Sequence, residues 1–174
     1  CSAYALHFII YLIYMTVILD NIRSLANVGS IFRTADAAGA GKIYLCGITP
    51  RPTDLFGRFR PQLAKVSLGA EKNVPWEYCK SIIRLIDKLK KDGYKILAVE
   101  QDKKSIPYYK LKVESRKPVK SKVALILGNE VRGLSPAILK RADKILEIPM
   151  SGKKESLNVS VAFGIVAFHL IPHS

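Results

Sequence analysis

The sequence predicts an α/β domain with a largely parallel, buried sheet flanked by helices. Short, strongly apolar runs alternate with longer amphipathic stretches, the order expected when helices cover the faces of a sheet. Hydrophobic residues make up 49% of the 174 residues, enough for one substantial core. No internal repeat and no second core separate off, so a single domain is expected.

The elements follow in chain order. "TVIL" (16–19) is a first apolar strand. "NVGSIFRTADAAG" (27–39) carries Val28, Ile31, Phe32 and Ala35 at helical spacing and ends at Gly39. "KIYLCG" (42–47) is a strand with Cys46 in the core. "WEYCKSIIRLIDKLKKDG" (76–93) reads as one amphipathic helix closed by Gly93. "YKILAVEQ" (94–101) and "KVALILG" (122–128) are strands. "SPAILKRAD" (135–143) is a helix with Ser135 as N-cap and Pro136 at its first position. "KILEIPM" (144–150) is a strand, and "SLNVSVAFGIVAFHL" (156–170) the last helix. Residues 47–74 and 102–121 read as loop-rich insertions.

The first segment, "CSAYALHFIIYLIYMTVIL", has no Asp, Glu, Lys or Arg before Asp20. Its length suits a membrane span. Against that, it lacks a basic flank and begins with Cys, and "TVIL" is used as a strand. The expectation is a domain over residues 15–174 starting natively at Met15, with residues 1–14 an apolar extension, and no membrane partner.

Lys and Arg number 28 against 14 acids, a formal charge of +14. Such an excess points to a polyanionic partner, nucleic acid first. From Lys103 to Lys122 there are eight basic residues and one acid, Glu114, with Tyr108 and Tyr109 among them. Lys110, Lys112, Lys117 and Lys120 are therefore candidate RNA contacts. "RPTDLFGRFR" (51–60) mixes three arginines with Phe56 and Phe59, and aromatic faces stack on unpaired bases. A solvated loop has the same composition in both places. Three widely spaced cysteines, Cys1, Cys46 and Cys79, suit reduced thiols and the cytoplasm. His7, His169 and His173 lack ligand spacing, so no metal is expected.

Ligands of parallel sheets bind beyond the carboxyl ends of the strands. The turns there are "DNIRSLANVG", "GITPRP", "GNEVRG" and "PMSGKKESLN". Neither GxGxxG nor GxxxxGK[ST] occurs in them, and no histidine lies near enough for a Ser-His-Asp arrangement. What gathers there instead is Asn27 and Arg33, then Asn129 and Glu130, then Ser156 and Asn158. Taken singly, Asn27 is a helix cap, Arg33 a surface partner of Asp36, Glu130 a solvated turn acid and Ser156 a cap. Asn158 shares a helical face with Val161, Ala162 and Ile165 and is expected to point inward, toward a partner.

Together, "NVGSIFRTADAAG" (27–39), "LILGNEVRGLS" (125–135) and "IPMSGKKESLNVSVA" (148–162) resemble the three signature blocks of the SpoU, or TrmH-like, RNA ribose 2′-O-methyltransferases. The resemblance covers about residues 16–170. It implies the SPOUT fold, with a C-terminal trefoil knot, and a homodimer with its site at the subunit interface. It implies S-adenosylmethionine as cofactor, held by Leu127, Gly128, Asn129, Ile148, Met150, Ser156, Leu157 and Asn158. It marks Arg33, Asn27 and Glu130 as the catalytic set, with Arg33 also on the RNA. The implied activity is methyl transfer to a ribose 2′-hydroxyl of tRNA or rRNA. A catalytically inactive RNA-binding paralogue is the alternative, which loss of Arg33 or Asn158 would have favoured. With so little chain before the first strand, the expectation is that the domain recognises the RNA itself or is helped to do so.

Overall fold

The structure, a computed structural model, describes residues 14–111 and 122–171. Expectations for residues 1–13, and for Lys112, Lys117 and Lys120, lie outside the described residues. In chain order the elements are β1 (Tyr14–Asp20), α1 (Leu25–Ala37), β2 (Lys42–Cys46), α2 (Pro61–Ser67), α3 (Ala70–Asn73), β3 (Trp76–Cys79) and α4 (Ile82–Lys91). Then come β4 (Lys95–Val99), β5 (Ile106–Pro107), a 3-10 turn (Tyr108–Lys110), β6 (Lys122–Leu127), α5 (Pro136–Leu139), β7 (Lys144–Glu147) and α6 (Val159–Leu170).

The strands form one sheet in the order β3-β2-β1-β6-β4-β7-β5, with every pairing parallel. The chain builds outward from β1 to β3, then crosses to the far side of β1 for β4. Strand β6 is inserted between β1 and β4. Parallel strands covered on both faces need apolar residues at nearly every position, and Val17, Ile18, Leu19, Leu125 and Ile126 are all fully buried.

Successive side chains of each strand go to opposite faces. Val17, Leu19, Leu125 and Leu127 meet Val28, Ile31 and Phe32 of α1 and Phe163 and Val166 of α6. Ile18, Ile96, Ala98 and Ile126 meet Leu85, Ile86 and Leu89 of α4 and Ile138 of α5. The result is three layers, with α1, α2, α3 and α6 on one face and α4 and α5 on the other. Helix α1 also presses closely on α2, since a Cβ on Gly29 would stand 2.9 Å from the Leu63 carbonyl oxygen.

Several expectations are corrected. "WEYC" is strand β3, paired with β2 from Ile43–Trp76 to Cys46–Cys79, and the helix starts only after Ser81, whose Oγ accepts from Arg84 N–H. Trp76, Cys79 and Ile83 fall at helical spacing, but the free edge of β2 offered backbone partners that the aromatic residues of this stretch could take in extended form. The supposed loop 47–74 contains α2 and α3. Loop 102–121 contains β5, whose Pro107 is tolerated because it lies at the sheet edge. Helix α5 is shorter than expected, and Ser135 stands at its N-cap without a side-chain bond. Strand β7 stops at Glu147, and α6 starts at Val159.

Candidate active site

The carboxyl ends of β6, β4 and β7 open into a cleft of about 240 Å³. Leu127 lines it from the end of β6, Gly128, Asn129 and Glu130 from the turn that follows, and Ile148, Met150, Ser156 and Leu157 from the loop after β7. Seven of the eight residues expected to hold a cofactor are thus brought together. Asn158 is not among the lining residues.

Local chemistry explains the shape of the β6 turn. The Asn129 carboxamide oxygen accepts from Val131 N–H at 2.9 Å and Arg132 N–H at 3.0 Å, while its Nδ2 donates to the Asn21 carbonyl at 2.8 Å. The chain then folds back so tightly that a Cβ on Gly128 would lie 2.7 Å from the Gly133 carbonyl carbon. Glycine at 128 is therefore required by the turn itself.

Asn158 is the N-cap of α6, its Oδ1 accepting from Ser160 N–H at 2.9 Å. It is exposed rather than turned inward, because a cap lies outside the helical repeat. Its Nδ2 donates to Asn27 Oδ1 at 3.0 Å, and Asn27 Nδ2 donates to Glu130 Oε1 at 2.9 Å. Asn27, by contrast, is not a cap. Ser24 caps α1, accepting from Asn27 N–H at 3.2 Å, which leaves the Asn27 side chain free to bridge. One carboxamide thus ties together all three sequence blocks. Glu130 Oε2 also accepts from Arg23 N–H at 3.3 Å, at the α1 N-terminus, where negative charge is favoured. Partial burial pushes the Glu130 carboxyl up, but the Asn27 bond and the backbone donors outweigh it and hold the group below its usual range.

Arg33 is exposed on α1, with no hydrogen bond or ion pair among the described residues, including none to Asp36. It does not line the cleft. Six residues separate it from Asn27, about 240° of rotation round the helix, so the two side chains face different ways. Lys110 is exposed at the end of the 3-10 turn.

Sequence reasoning missed the β4 end. Glu100 and Gln101 line the cleft. The Glu100 carboxylate accepts from Leu134 N–H at 2.8 Å, and Gln101 Nε2 donates to the Glu155 carbonyl at 2.6 Å, so β4 braces both site loops. The signal is strand order, since β4 lies between β6 and β7, and order is not written in local periodicity. No group of three His, Cys, Asp or Glu placed for a metal ion occurs among the described residues, and no helix there is long and apolar enough to cross a membrane.

Residues 14–168 match the family described as SpoU rRNA Methylase. The chain belongs to this family. Among SpoU relatives, a tRNA (guanosine(18)-2′-O)-methyltransferase of Aquifex aeolicus is 32% identical over 158 residues, covering 88% of this chain and 67% of that protein. The 23S rRNA (guanosine-2′-O-)-methyltransferase RlmB of Ralstonia nicotianae is 29% identical over 157 residues, covering 90% of this chain and 58% of the relative. The crystal structure of an AdoMet-bound rRNA methyltransferase from Sinorhizobium meliloti superposes with a TM-score of 0.78 at 30% identity, covering 90% of this chain and 55% of that one. The chain spans about three-fifths of the length of such SpoU relatives.

Proposed function

We propose that the protein transfers a methyl group to a ribose 2′-hydroxyl of tRNA or rRNA, with S-adenosylmethionine as cofactor. The observation that carries this reading is the Glu130–Asn27–Asn158 bridge, which fixes the three SpoU blocks against one cleft. The cleft suits the cofactor. Leu127, Ile148 and Leu157 offer apolar walls for a flat base, and Ser156 and the β6 turn offer polar groups at the rim. When bound, S-adenosylmethionine supplies a methyl group on a sulfonium, already activated toward a nucleophile.

The chain's own residues have to orient the ribose and make its weakly acidic hydroxyl reactive. Arg33 is the residue for this. A guanidinium with a pKa above 12 does not act as a base, so Arg33 holds the adjoining phosphate and donates to the 2′-oxygen as negative charge grows there. Glu130 and Asn27 hold the β6 turn against α1.

The enzyme works as a homodimer in this reading. Val161 and Phe168 leave apolar surface on α6, 49% and 43% exposed. Arg33 does not line its own cleft, which fits a residue that completes the cleft of a second copy. The trefoil knot belongs to the same reading, supported by the insertion of β6 between β1 and β4. Unpaired Cys46 and Cys79 suit the cytoplasm.

The test combines calorimetry and transfer. S-adenosylmethionine should bind with chelator present, and labelled methyl should enter unmodified tRNA or rRNA at positions that become resistant to alkaline cleavage. Absence of cofactor binding, or label on a base instead of a ribose, would overturn the assignment.

A further inference from the structure

The hairpin 52–60, which leaves the carboxyl end of β2 and leads into α2, has a role in neither the cleft nor the core. Its frame is built firmly. Thr53 and Phe59 pair antiparallel, Asp54 N–H donates to the Arg58 carbonyl at 2.8 Å, and Arg60 N–H donates to the Pro52 carbonyl at 2.8 Å. The Asp54 carboxylate fills the turn, accepting from Phe56 N–H at 2.8 Å and from Arg58 N–H and Nε at 3.0 Å each. Gly57 takes the left-handed conformation, φ 77°, that closes the tip. At the base, the Arg51 guanidinium lies 3.9 Å from the Tyr78 ring centroid, and Lys72 lies 5.3 Å from that of Phe59.

What this frame presents is unusual. Leu55 is 94% exposed and Phe56 81% exposed, with the Arg58 guanidinium 5.2 Å from the Phe56 ring centroid. Packing does not require them, since the turn is held by Asp54 and the backbone. An aromatic face beside a guanidinium, on a rigid and net basic hairpin, has the chemistry that stacks on an unpaired base while neutralising its phosphate. A second copy of the chain is a poorer occupant, because its +14 charge would oppose these arginines.

The position also fits. The turn after β2 is bonded to the β1 turn, with Ile48 N–H donating to Asn21 Oδ1 at 3.2 Å, and the Asn21 carbonyl accepts from Asn129 at the cleft. At its other end the hairpin enters α2, which packs against α1, the helix carrying Arg33. We infer that the 52–60 hairpin is an RNA-reading element, with Phe56 stacking on an unpaired nucleotide of the substrate. The inference rests on the RNA methyltransferase reading for the choice of substrate.

The test uses the full chain with a short unstructured RNA strand of mixed sequence, about 12 nucleotides long, and the same strand annealed to its complement. Phe56→Ala should weaken single-strand binding by about tenfold, the scale of one lost stack, and leave duplex binding unchanged. Phe56→Tyr should restore it. The salt slope should stay the same, because a phenyl ring neutralises no phosphate. Unchanged single-strand affinity, or equal losses on both RNA forms, would overturn the inference. So would a lower mass of Phe56→Ala by light scattering, which would assign the tip to a contact between copies. Cofactor binding is measured on the same samples. Its failure in the unsubstituted chain would remove the methyltransferase reading, while a Phe56-dependent single-strand affinity would still support the hairpin.

Discussion

Asn27 shows how little sequence distance constrains a site. It lies 103 residues from Glu130 and 131 from Asn158, yet its single carboxamide bonds both. Such a bridge needs a side chain with a donor at one end and an acceptor at the other, which Asp lacks when ionised. The pH behaviour of Glu130 tests the bridge. Its carboxyl is held below the usual range in the folded chain, so the unfolded chain takes up the proton first as pH falls. The charged form therefore adds stability above the ordinary glutamate value of about 4.3, and that stability is lost as pH drops through the lower folded value. Glu130→Gln cannot titrate. Thermal melts should show a constant gap between the two proteins near neutral pH, narrowing through the acid range below the ordinary glutamate value; parallel curves down to pH ~2 would show that Glu130 is not held this way. Arg33 calls for a kinetic test. Arg33→Lys keeps the charge but loses the planar fork of donors. It should fold and bind S-adenosylmethionine as before, while single-turnover methylation falls by about two orders of magnitude. Near-equal rates would return Arg33 to a surface role.

At the scale of elements, the turn after β6 is the tightest joint in the site. Gly128→Ala would place a methyl group 2.8 Å from Leu134 N and 2.7 Å from the Gly133 carbonyl carbon, both backbone atoms that cannot rotate away. Overpacking of this kind costs about 1–3 kcal/mol, and here it also displaces the cleft wall. Urea denaturation should show the stability loss and calorimetry a weaker cofactor affinity; an unchanged midpoint would mean that the loop yields freely. The elements that were legible in the sequence are those whose burial imposes a pattern. β1, β6 and the apolar stripe of α1 read correctly because a strand covered on both faces, or a helix covered on one, leaves its period in the residues. The 76–79 stretch did not, since four residues at a sheet edge carry too short a pattern to oppose the helix that follows. β5 is two residues long and carries no period at all. Within the site, the β6 and β7 loops were legible through their polar residues, whereas Glu100 and Gln101 were not, because only the strand order brings β4 between them.

For the whole molecule, the exposed face of α6 sets the problem. "VAFGIVAFHL" is apolar on nearly every side, but the single chain buries only one of them: Phe163, Val166 and Ala167 go into the core, while Val161 and Phe168 stay in solvent. Arg33, on the helix packed against α6, has no partner among the described residues and does not line its own cleft. A second copy placed on this face would cover the apolar side chains and bring a free guanidinium toward a cleft that lacks one. Phe168→Asp separates assembly from folding. The ring is 43% exposed, so the charge can reach water in the single chain, whereas in a dimer contact it would be buried without a partner. The variant should keep its far-ultraviolet circular dichroism and run as a monomer by light scattering at micromolar concentration. If the cleft takes the cofactor and the second copy supplies the arginine, methyl transfer should fall far more than cofactor affinity. A Phe168→Asp protein that stays dimeric and fully active would place the contact elsewhere. A monomer with undiminished transfer would show that each chain completes its own site, and would require Arg33 to reach a cleft it does not line here.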